Sequence, residues 1–264
     1  MFRLLMEQML DTIEILLQTM CTLHLLFRKG GNLLFQRHAD TRSNELGTNV
    51  HGLFAAIIVE EAESTWFDPV TGEPLESGLF ADIYHPTKPT FMEYIVFFHD
   101  KMEIKDKNGE TPINPNTNLP SSAIGVSYRS EPMQNRKSLD YPTDGDEHIV
   151  SGEDIFMSSW LYGDSAIELL RPYAGDSAKI RLINAGIKET HVFHLYNHQW
   201  RLEPDDPKST IIDFISISPQ ECYTIDIFHG AGSYNHMIGD AIWYCHLYPH
   251  FHEGMWAYGG YMTN

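Results

Sequence analysis

Residue types that bind metals lie close together near the carboxyl end of the chain, in the segment Asp240–Tyr258. Cys245, His250 and Met255 follow one another at five-residue intervals and supply a thiolate, an imidazole and a thioether. A blue copper site is built from one thiolate and two imidazoles in a plane, with a weak axial thioether. The natural source of the second imidazole is His191, which opens the run HVFHLYNH. Together the four residues predict a mononuclear type 1 copper site.

Two other interpretations of these residues stay open at the level of sequence. For any one of the four taken alone, a buried cysteine, methionine or histidine of the core is the commoner explanation. Zinc also accepts cysteine and histidine ligands, so a zinc-binding structural β domain is an alternative. The combination of residue types and spacing favours a metal site over core packing, and the methionine favours copper over zinc.

Short runs rich in β-branched and aromatic residues must position these side chains. They are Gly52–Glu60, Glu93–His99, Lys179–Asn184, His191–Leu195, Ile211–Ile217 and Tyr223–Phe228. Turn signals separate the runs, and the strongest is Asn108-Gly109, because both residues tolerate the positive φ of a tight turn. No long helical pattern follows Lys29. Many short strands at this spacing predict an all-β sandwich, and the proline-bearing stretch at residues 85–90 predicts a boundary between two β units.

The first 29 residues have a different pattern from the rest of the chain. Apolar residues recur at helical spacing between Met6 and Phe27, with acidic residues on the other side, which predicts an amphipathic helix. The charge-free run from Ile15 to Phe27 is too short to span a bilayer. Acidic residues also interrupt the place where an export signal needs an apolar core. A helix packed on the body is favoured over a membrane-surface helix or a non-native start.

Composition narrows the classes of partner. The net charge is −18, with a sequence pI near 5.0, which argues against nucleic acid or an anionic membrane surface as a partner. Three cysteines form no disulfide framework. A chain of 264 residues has room for one large domain or two small ones. The predicted division is therefore a helix over residues 1–29, a partial β unit over 30–87 and a β domain over 88–264.

Two segments resemble the copper-binding motifs of the multicopper oxidase family. HVFHLYNHQW, from His191, is similar to the family pattern HPxHLHGHxF, and GDAIWYCHLYPHFHEGM, ending at Met255, is similar to the pattern that ends HCHxxxHxxxGM. HGLFAAIIVE, from His51, and RPYAGDSAKIRLINAG, from Arg171, resemble further family segments. The resemblance runs from about residue 52 to residue 257. It is closest to bacterial laccase-like and manganese-oxidase-like members.

The resemblance implies cupredoxin-like Greek-key β-sandwiches, one nearly complete and one partial, with copper as the cofactor. His191, Cys245 and His250 would bind the type 1 copper, and Met255 would be its axial ligand. In the family, electrons from a small donor enter at this copper and pass to a trinuclear cluster, where dioxygen is reduced to water. The family is commonly extracytoplasmic, although no export signal is visible in this sequence.

The family's second copper centre is matched only in part. The resemblance places His194 at a type 2 position and His246 at a type 3 position. Tyr196 and Tyr244 stand where the family has type 3 histidines, and a phenol with a pKa of about 10 is a poor copper ligand. A non-catalytic blue-copper protein that transfers electrons, or survives as a remnant, is therefore the alternative to an oxidase.

Three further histidines are secondary candidates. The two amino-terminal His-x-His motifs of the family are missing, and that region offers only His38 and His51. His198 follows His194 at an even spacing, so strand alternation places both on one face, where His198 would support a ligand. The substrate is not determined by the sequence, and a homo-oligomer is compatible with it.

Overall fold

A computed structural model provides the fold of the chain. It describes residues 31–36, 52, 54–100, 105, 107–111, 113, 124–133 and 159–263. The helix predicted over residues 1–29 and the candidates His38 and His51 lie outside the described residues. At Asn108-Gly109 the predicted turn is present, with Gly109 at a φ of 83°.

The described residues form short strands and two very short helices. The strands are β1 (Gly31–Gln36), β2 (Phe54–Val59), β3 (Thr65–Phe67), β4 (Phe80–His85), β5 (Lys88–His99), β6 (Gly125–Val126), β7 (Ala178–Asn184), β8 (His191–Leu195), β9 (Trp200–Arg201), β10 (Ile211–Ile212), β11 (Phe214–Ile217), β12 (Cys222–Asp226), β13 (Gly239–Cys245) and β14 (Trp256–Tyr261). The helices are α1 (Ser159–Tyr162) and α2 (Tyr248–His252). Among these residues, no helix has the length and apolar character needed to cross a membrane.

Two sheets carry most of the strands. The larger sheet has the order β12-β7-β5-β4-β3, with β6 paired to β5, and the smaller has the order β11-β8-β13-β14. Neighbouring strands are antiparallel, except that β5 and β7 pair in parallel. The pairs β1-β2 and β9-β10 stand beside them. This arrangement confirms the predicted all-β class of fold.

The main core lies between the two sheets. Phe98 of β5 and Leu182 of β7 pack in one buried cluster with Phe193 of β8 and Trp243 of β13. Because alternate residues of a strand point to opposite faces, these side chains all come from the inner faces of the two sheets. Cys245 and Met255 belong to the same cluster and are fully buried. Two of the four predicted copper ligands therefore lie inside the core.

The larger sheet is also covered on its outer face. Phe54 of β2 packs there with Phe97 and Ile183 in a second cluster. The buried guanidinium of Arg181 donates a hydrogen bond to Glu93 Oε1 at 2.8 Å and pairs with Glu60 at the end of β2. Burial on both faces explains why the central strands are continuous apolar runs in the sequence and do not alternate with polar residues.

Strands from both sides of the predicted boundary at residue 87 share one sheet. β4 and β5 pair as a hairpin, in which His85 stands opposite Lys88. The division into units at 1–29, 30–87 and 88–264 stays a prediction. The predicted strand His191–Leu195 is confirmed as β8, whereas Ile211–Ile217 is divided between β10 and β11.

Candidate metal centre

Strand register sorts the candidate ligands onto two faces of the smaller sheet. β8 and β13 pair so that Cys245 stands opposite Phe193 and Tyr244 stands opposite His194. Alternation then directs the side chains of His191 and Cys245 toward the core, and those of His194 and Tyr244 toward the outer face. The burial pattern of β8 agrees, because His191 and Phe193 are buried while His194 is only partly buried.

A short closed loop returns His250 to the end of β13. α2 begins at Tyr248 with Pro249 in its first turn, where a missing N–H costs nothing. The N–H of Met255 donates to His250 O at 3.0 Å, and the N–H of Cys245 donates to Met255 O at 3.0 Å. These two backbone hydrogen bonds fix the three residues of the loop relative to one another.

Three donor atoms converge at the buried end of the sandwich. His191 Nδ1 and His250 Nδ1 are 3.0 Å apart, and Cys245 Sγ lies 3.8 Å from the first and 3.4 Å from the second. A point equidistant from all three atoms lies about 2.0 Å from each, close to the length of a metal–imidazole bond. Among the residues that the structure describes, this is the one group of three or more His, Cys, Asp and Glu side chains placed to hold a metal ion.

The outward nitrogens of the two imidazoles face carboxylates. His250 Nε2 lies 2.6 Å from Glu189 Oε2, and His191 Nε2 lies 3.7 Å from Asp100 Oδ1. An ionised carboxylate only accepts hydrogen bonds, so Glu189 places the proton of His250 on Nε2 and leaves a lone pair on Nδ1. Metal-binding histidines typically have this arrangement.

Without a metal, the 3.0 Å contact between the two Nδ1 atoms requires a proton on His191 Nδ1. That proton would leave His191 Nε2 as an unprotonated acceptor beside the Asp100 carboxylate, and within the described part of the chain this buried nitrogen has no hydrogen-bond partner. A cation between the two Nδ1 atoms removes the conflict, because both rings then carry their protons on Nε2. The donor set therefore fits a metal ion better than it fits an imidazole pair.

In the metal-free protein, burial favours the neutral forms of Cys245 and His191. It raises the pKa of the Cys245 thiol to about 11, although the N–H of Val192 donates to Sγ at 3.4 Å and opposes the shift. Burial also lowers the pKa of His191, and the nearby Asp100 carboxylate opposes this shift. A metal cation would displace the thiol proton and gain a thiolate ligand.

Asp100 and Glu189 were missed by the reasoning from sequence. Asp100, fully buried, accepts the backbone N–H groups of Ile187, Lys188 and Glu189 at 3.1, 3.1 and 3.2 Å. It therefore fixes the loop between β7 and β8, which carries Glu189 to His250 and leads into His191. Glu189 lies two residues before His191. This closeness in the sequence is the signal by which it could have been proposed as a residue that orients a ligand. No sequence signal connects Asp100 to this loop.

On the outer face, His194 and His246 lie beside the two tyrosines. Their imidazole centroids are 5.2 Å apart, and the His194 ring stacks on Tyr196 at 4.9 Å. His246 Nδ1 lies 2.8 Å from the hydroxyl of Tyr244, and His194 Nδ1 is buried with no hydrogen-bond partner among the described side chains. The four side chains are therefore neighbours on this face, and the assignment of His194 and His246 to type 2 and type 3 copper stays a prediction. No third imidazole joins them within the described ranges.

His198 has a role in packing. β8 ends at Leu195, so the strand alternation used to place His198 beside His194 does not extend to it. The buried ring has its Nδ1 2.7 Å from the carbonyl oxygen of Tyr196, and its Nε2 accepts the N–H of Gly232 at 3.0 Å. Because both nitrogens have protein partners, we do not assign His198 to a metal site.

Comparison with solved structures returns copper proteins at low sequence identity. A copper nitrite reductase from Nitrosomonas europaea is 15% identical with a TM-score of 0.48, covering 89% of this chain and 64% of its own. The multicopper oxidase mgLAC is 18% identical with a TM-score of 0.49, covering 88% and 56%. A blue copper oxidase from Nitrosomonas europaea is 15% identical with a TM-score of 0.48, also covering 88% and 56%.

The chain thus spans 56% to 64% of the length of these three proteins. No protein-family model and no curated protein sequence matches the chain.

Proposed function

We propose that this chain binds one copper ion at His191, Cys245 and His250 and uses it to carry single electrons. The observation that carries the proposal is the buried triangle of two Nδ1 atoms and one Sγ atom, with sides of 3.0 to 3.8 Å. Bound copper would supply a one-electron carrier that alternates between the cupric and cuprous states. Met255, buried at the end of the ligand loop, would supply a weak thioether ligand.

The protein's part in this function is to hold the donors still and to let a donor molecule approach. His191 and Cys245 are fixed on paired strands, and the loop that carries His250 is closed by backbone hydrogen bonds. Leu247 and Tyr248 on the same loop are 39% and 61% exposed, so the loop reaches the surface beside His250. A small reducing molecule could therefore pass its electron through the His250 side of the site.

An oxidase of the laccase-like multicopper type is the second candidate. It is supported by the motif resemblance and by the adjacent imidazoles of His194 and His246, 5.2 Å apart. A trinuclear cluster needs more imidazoles than this pair, and Tyr196 and Tyr244 occupy two of the positions. The missing ligands would have to come from residues outside the described ranges or from a second copy of the chain. Dioxygen would then be the electron acceptor.

Copper loading separates these functions. We expect the purified chain to bind one equivalent of cupric ion and to develop an intense visible absorption band from the Cys245 thiolate. Cys245→Ser should abolish the band, while Cys222→Ser should keep it, because Cys222 lies on β12, outside the donor triangle. The measurement is the absorption spectrum together with the metal content per chain.

Each other outcome points to a different function. A chain that retains zinc and shows no visible band with cupric ion is a zinc protein, because zinc has no such transition. Several coppers per chain with oxygen consumption in the presence of a phenolic donor would establish the oxidase.

A further inference from the structure

A groove with a volume of about 610 Å³ opens along β4 and β5, away from the copper ligands. Asp82 and Tyr84 of β4 and Tyr94 of β5 line one side of it. The segment at residues 168–177 and Met262 line the other side. A cavity of this size is typical of sites for small organic molecules, and we call it the β4–β5 groove.

Asp82 supplies to this groove a carboxylate without a hydrogen-bond partner among the described residues. Its carboxylate, only partly exposed, accepts no hydrogen bond from any described residue. Burial raises the pKa of Asp82, and repulsion from Asp176 and Asp68 raises it further. A carboxylate that loses water without gaining a donor is unfavourable, and a cation in the groove would remove that cost.

Aromatic rings line the same groove as this carboxylate. Tyr84 and Tyr173, at 46% and 41% exposure, present accessible faces, and Tyr84 is held edge-on against Phe67 at 5.3 Å. Phe91, also in the lining, already carries a cation, since the ammonium of Lys179 lies 4.1 Å from its centroid. Aromatic faces beside a carboxylate attract organic ammonium groups through the ring quadrupole.

The other classes of ligand fit this groove less well. Three acidic side chains line it against one basic side chain, Arg171, which is largely exposed and lies 3.8 Å from Asp164, so an anion is disfavoured. The described residues of the groove contain no cluster of three side chains placed to hold a metal ion, and Asp176 already accepts the N–H of Tyr173. A neutral apolar ligand would leave Asp82 without a partner.

We infer that the β4–β5 groove binds a small organic cation, an ammonium group carried on an aromatic or alkyl body. The ammonium would donate to Asp82, and the body would lie against the rings of Tyr84 and Tyr173. This site is separate from the proposed copper function. The metal-free protein can therefore test it, and loss of copper binding in Cys245→Ser leaves it intact.

Calorimetric titration with phenethylammonium, at an ionic strength of about 0.15 M to screen long-range charge, tests the inference. The matched neutral probe is 2-phenylethanol, which has a similar shape and no charge. We expect phenethylammonium to bind to the whole chain at least tenfold more tightly than 2-phenylethanol. Asp82→Asn should remove most of that difference. Tyr84→Leu should weaken the binding of phenethylammonium several-fold, while Tyr84→Phe, which keeps the ring face, should not.

Asp205→Asn is the charge control, because Asp205 is exposed and does not line the groove. It should leave the affinity unchanged if the site is local. Equal affinity for the two probes, equal losses in Asp82→Asn and Asp205→Asn, or no binding of phenethylammonium at millimolar concentration would each overturn the inference. Since Tyr84 is exposed, its variants stay informative even if Asp82→Asn folds poorly.

Discussion

Single residues that lie next to the candidate copper ligands hold these ligands in position. Glu189 contacts His250 Nε2 at 2.6 Å, and its side chain is 31% exposed. We expect Glu189→Gln to weaken copper binding about tenfold to a hundredfold, because the carboxylate orients the imidazole and holds its proton on Nε2. Competition with a chelator of known affinity measures the change.

The same substitution should have little effect on folding. The hydrogen bonds by which Glu189 holds its loop involve its backbone, which donates to Asp100 and accepts from Asn184. Glu203→Gln, a change in an exposed turn, is the matched control. A copper affinity equal to that of the unchanged protein would contradict the positioning role of Glu189.

Asp100 differs from Glu189, because its substitution should destabilise the fold. Three backbone N–H groups donate to this buried carboxylate. We expect Asp100→Asn to reduce the free energy of unfolding of the metal-free protein by about 2 kcal/mol, because the amide group of Asn cannot accept all three bonds. Denaturant unfolding measures this, and an unchanged midpoint would show that the carboxylate is dispensable.

His198 makes stability depend on pH. Burial lowers its pKa, against the opposing hydrogen bond to the Tyr196 carbonyl. The unfolded state, where a histidine has a pKa of about 6.5, then binds the proton more readily than the folded state. The contribution of His198 to stability is therefore complete above about pH 6.5 and declines as the pH falls, by at most about 1.4 kcal/mol per unit.

Urea unfolding of the metal-free protein between pH 7.5 and pH 5.5 tests this dependence. We expect His198→Gln to unfold at a lower urea concentration and to show a smaller change with pH. His229→Gln, at an exposed histidine, should keep the full dependence. Equal pH dependence in the two variants would mean that other groups cause the effect.

At the scale of elements, the ligand loop depends on one glycine. Gly254 follows α2 with a φ of 115°, and a Cβ at this position would lie 2.3 Å from Ser130 Oγ and 2.6 Å from the nitrogen of Glu131. We expect Gly254→Ala to cost about 2 kcal/mol or more of unfolding free energy and to weaken copper binding, because the loop must shift.

Gly239→Ala is a close control for that change. Gly239 has a similar φ of 108°, but a Cβ there would meet no atom within 4 Å. It therefore measures backbone strain without the collision. If the two variants are equally stable and bind copper equally well, the contact with residues 130 and 131 does not hold the loop.

At the scale of the whole molecule, the outer face of the smaller sheet decides between electron carrier and oxidase. His194 and His246 lie there beside Tyr196 and Tyr244. We expect the unchanged protein to consume oxygen only at the background rate. The double change Tyr196→His and Tyr244→His should increase the copper content while leaving oxygen consumption at background, because four imidazoles do not complete a trinuclear cluster. An oxygen electrode with a phenolic donor makes the measurement, and turnover in the reverted protein would mean that further ligands exist.

Much of the fold was predictable, since it depends on local patterns. β-branched and aromatic runs predicted the strands β2, β5, β7, β8 and β12, and each is present, β8 with the predicted ends and the others with at least one end shifted. β13 carries Cys245 but was not predicted, because its residues Gly239–Cys245 begin with a glycine and an aspartate and lack clear alternation. The packing of β2 on the outer face of the larger sheet could not be predicted either, since it depends on contacts between strands that are distant in the sequence.

The sequence by itself determined which donors are present and which face of a strand each one occupies. Thiolate, imidazole and thioether chemistry belongs to the residue types, and the two-residue period of a strand separates His191 from His194 wherever the strand lies. The tertiary structure decided which donors meet. His191 reaches Cys245 across 54 residues only because β8 pairs with β13 in one register, and Asp100 reaches the loop before His191 across 87 to 89 residues. Such proximity arises from long-range strand pairing, which local residue patterns do not encode.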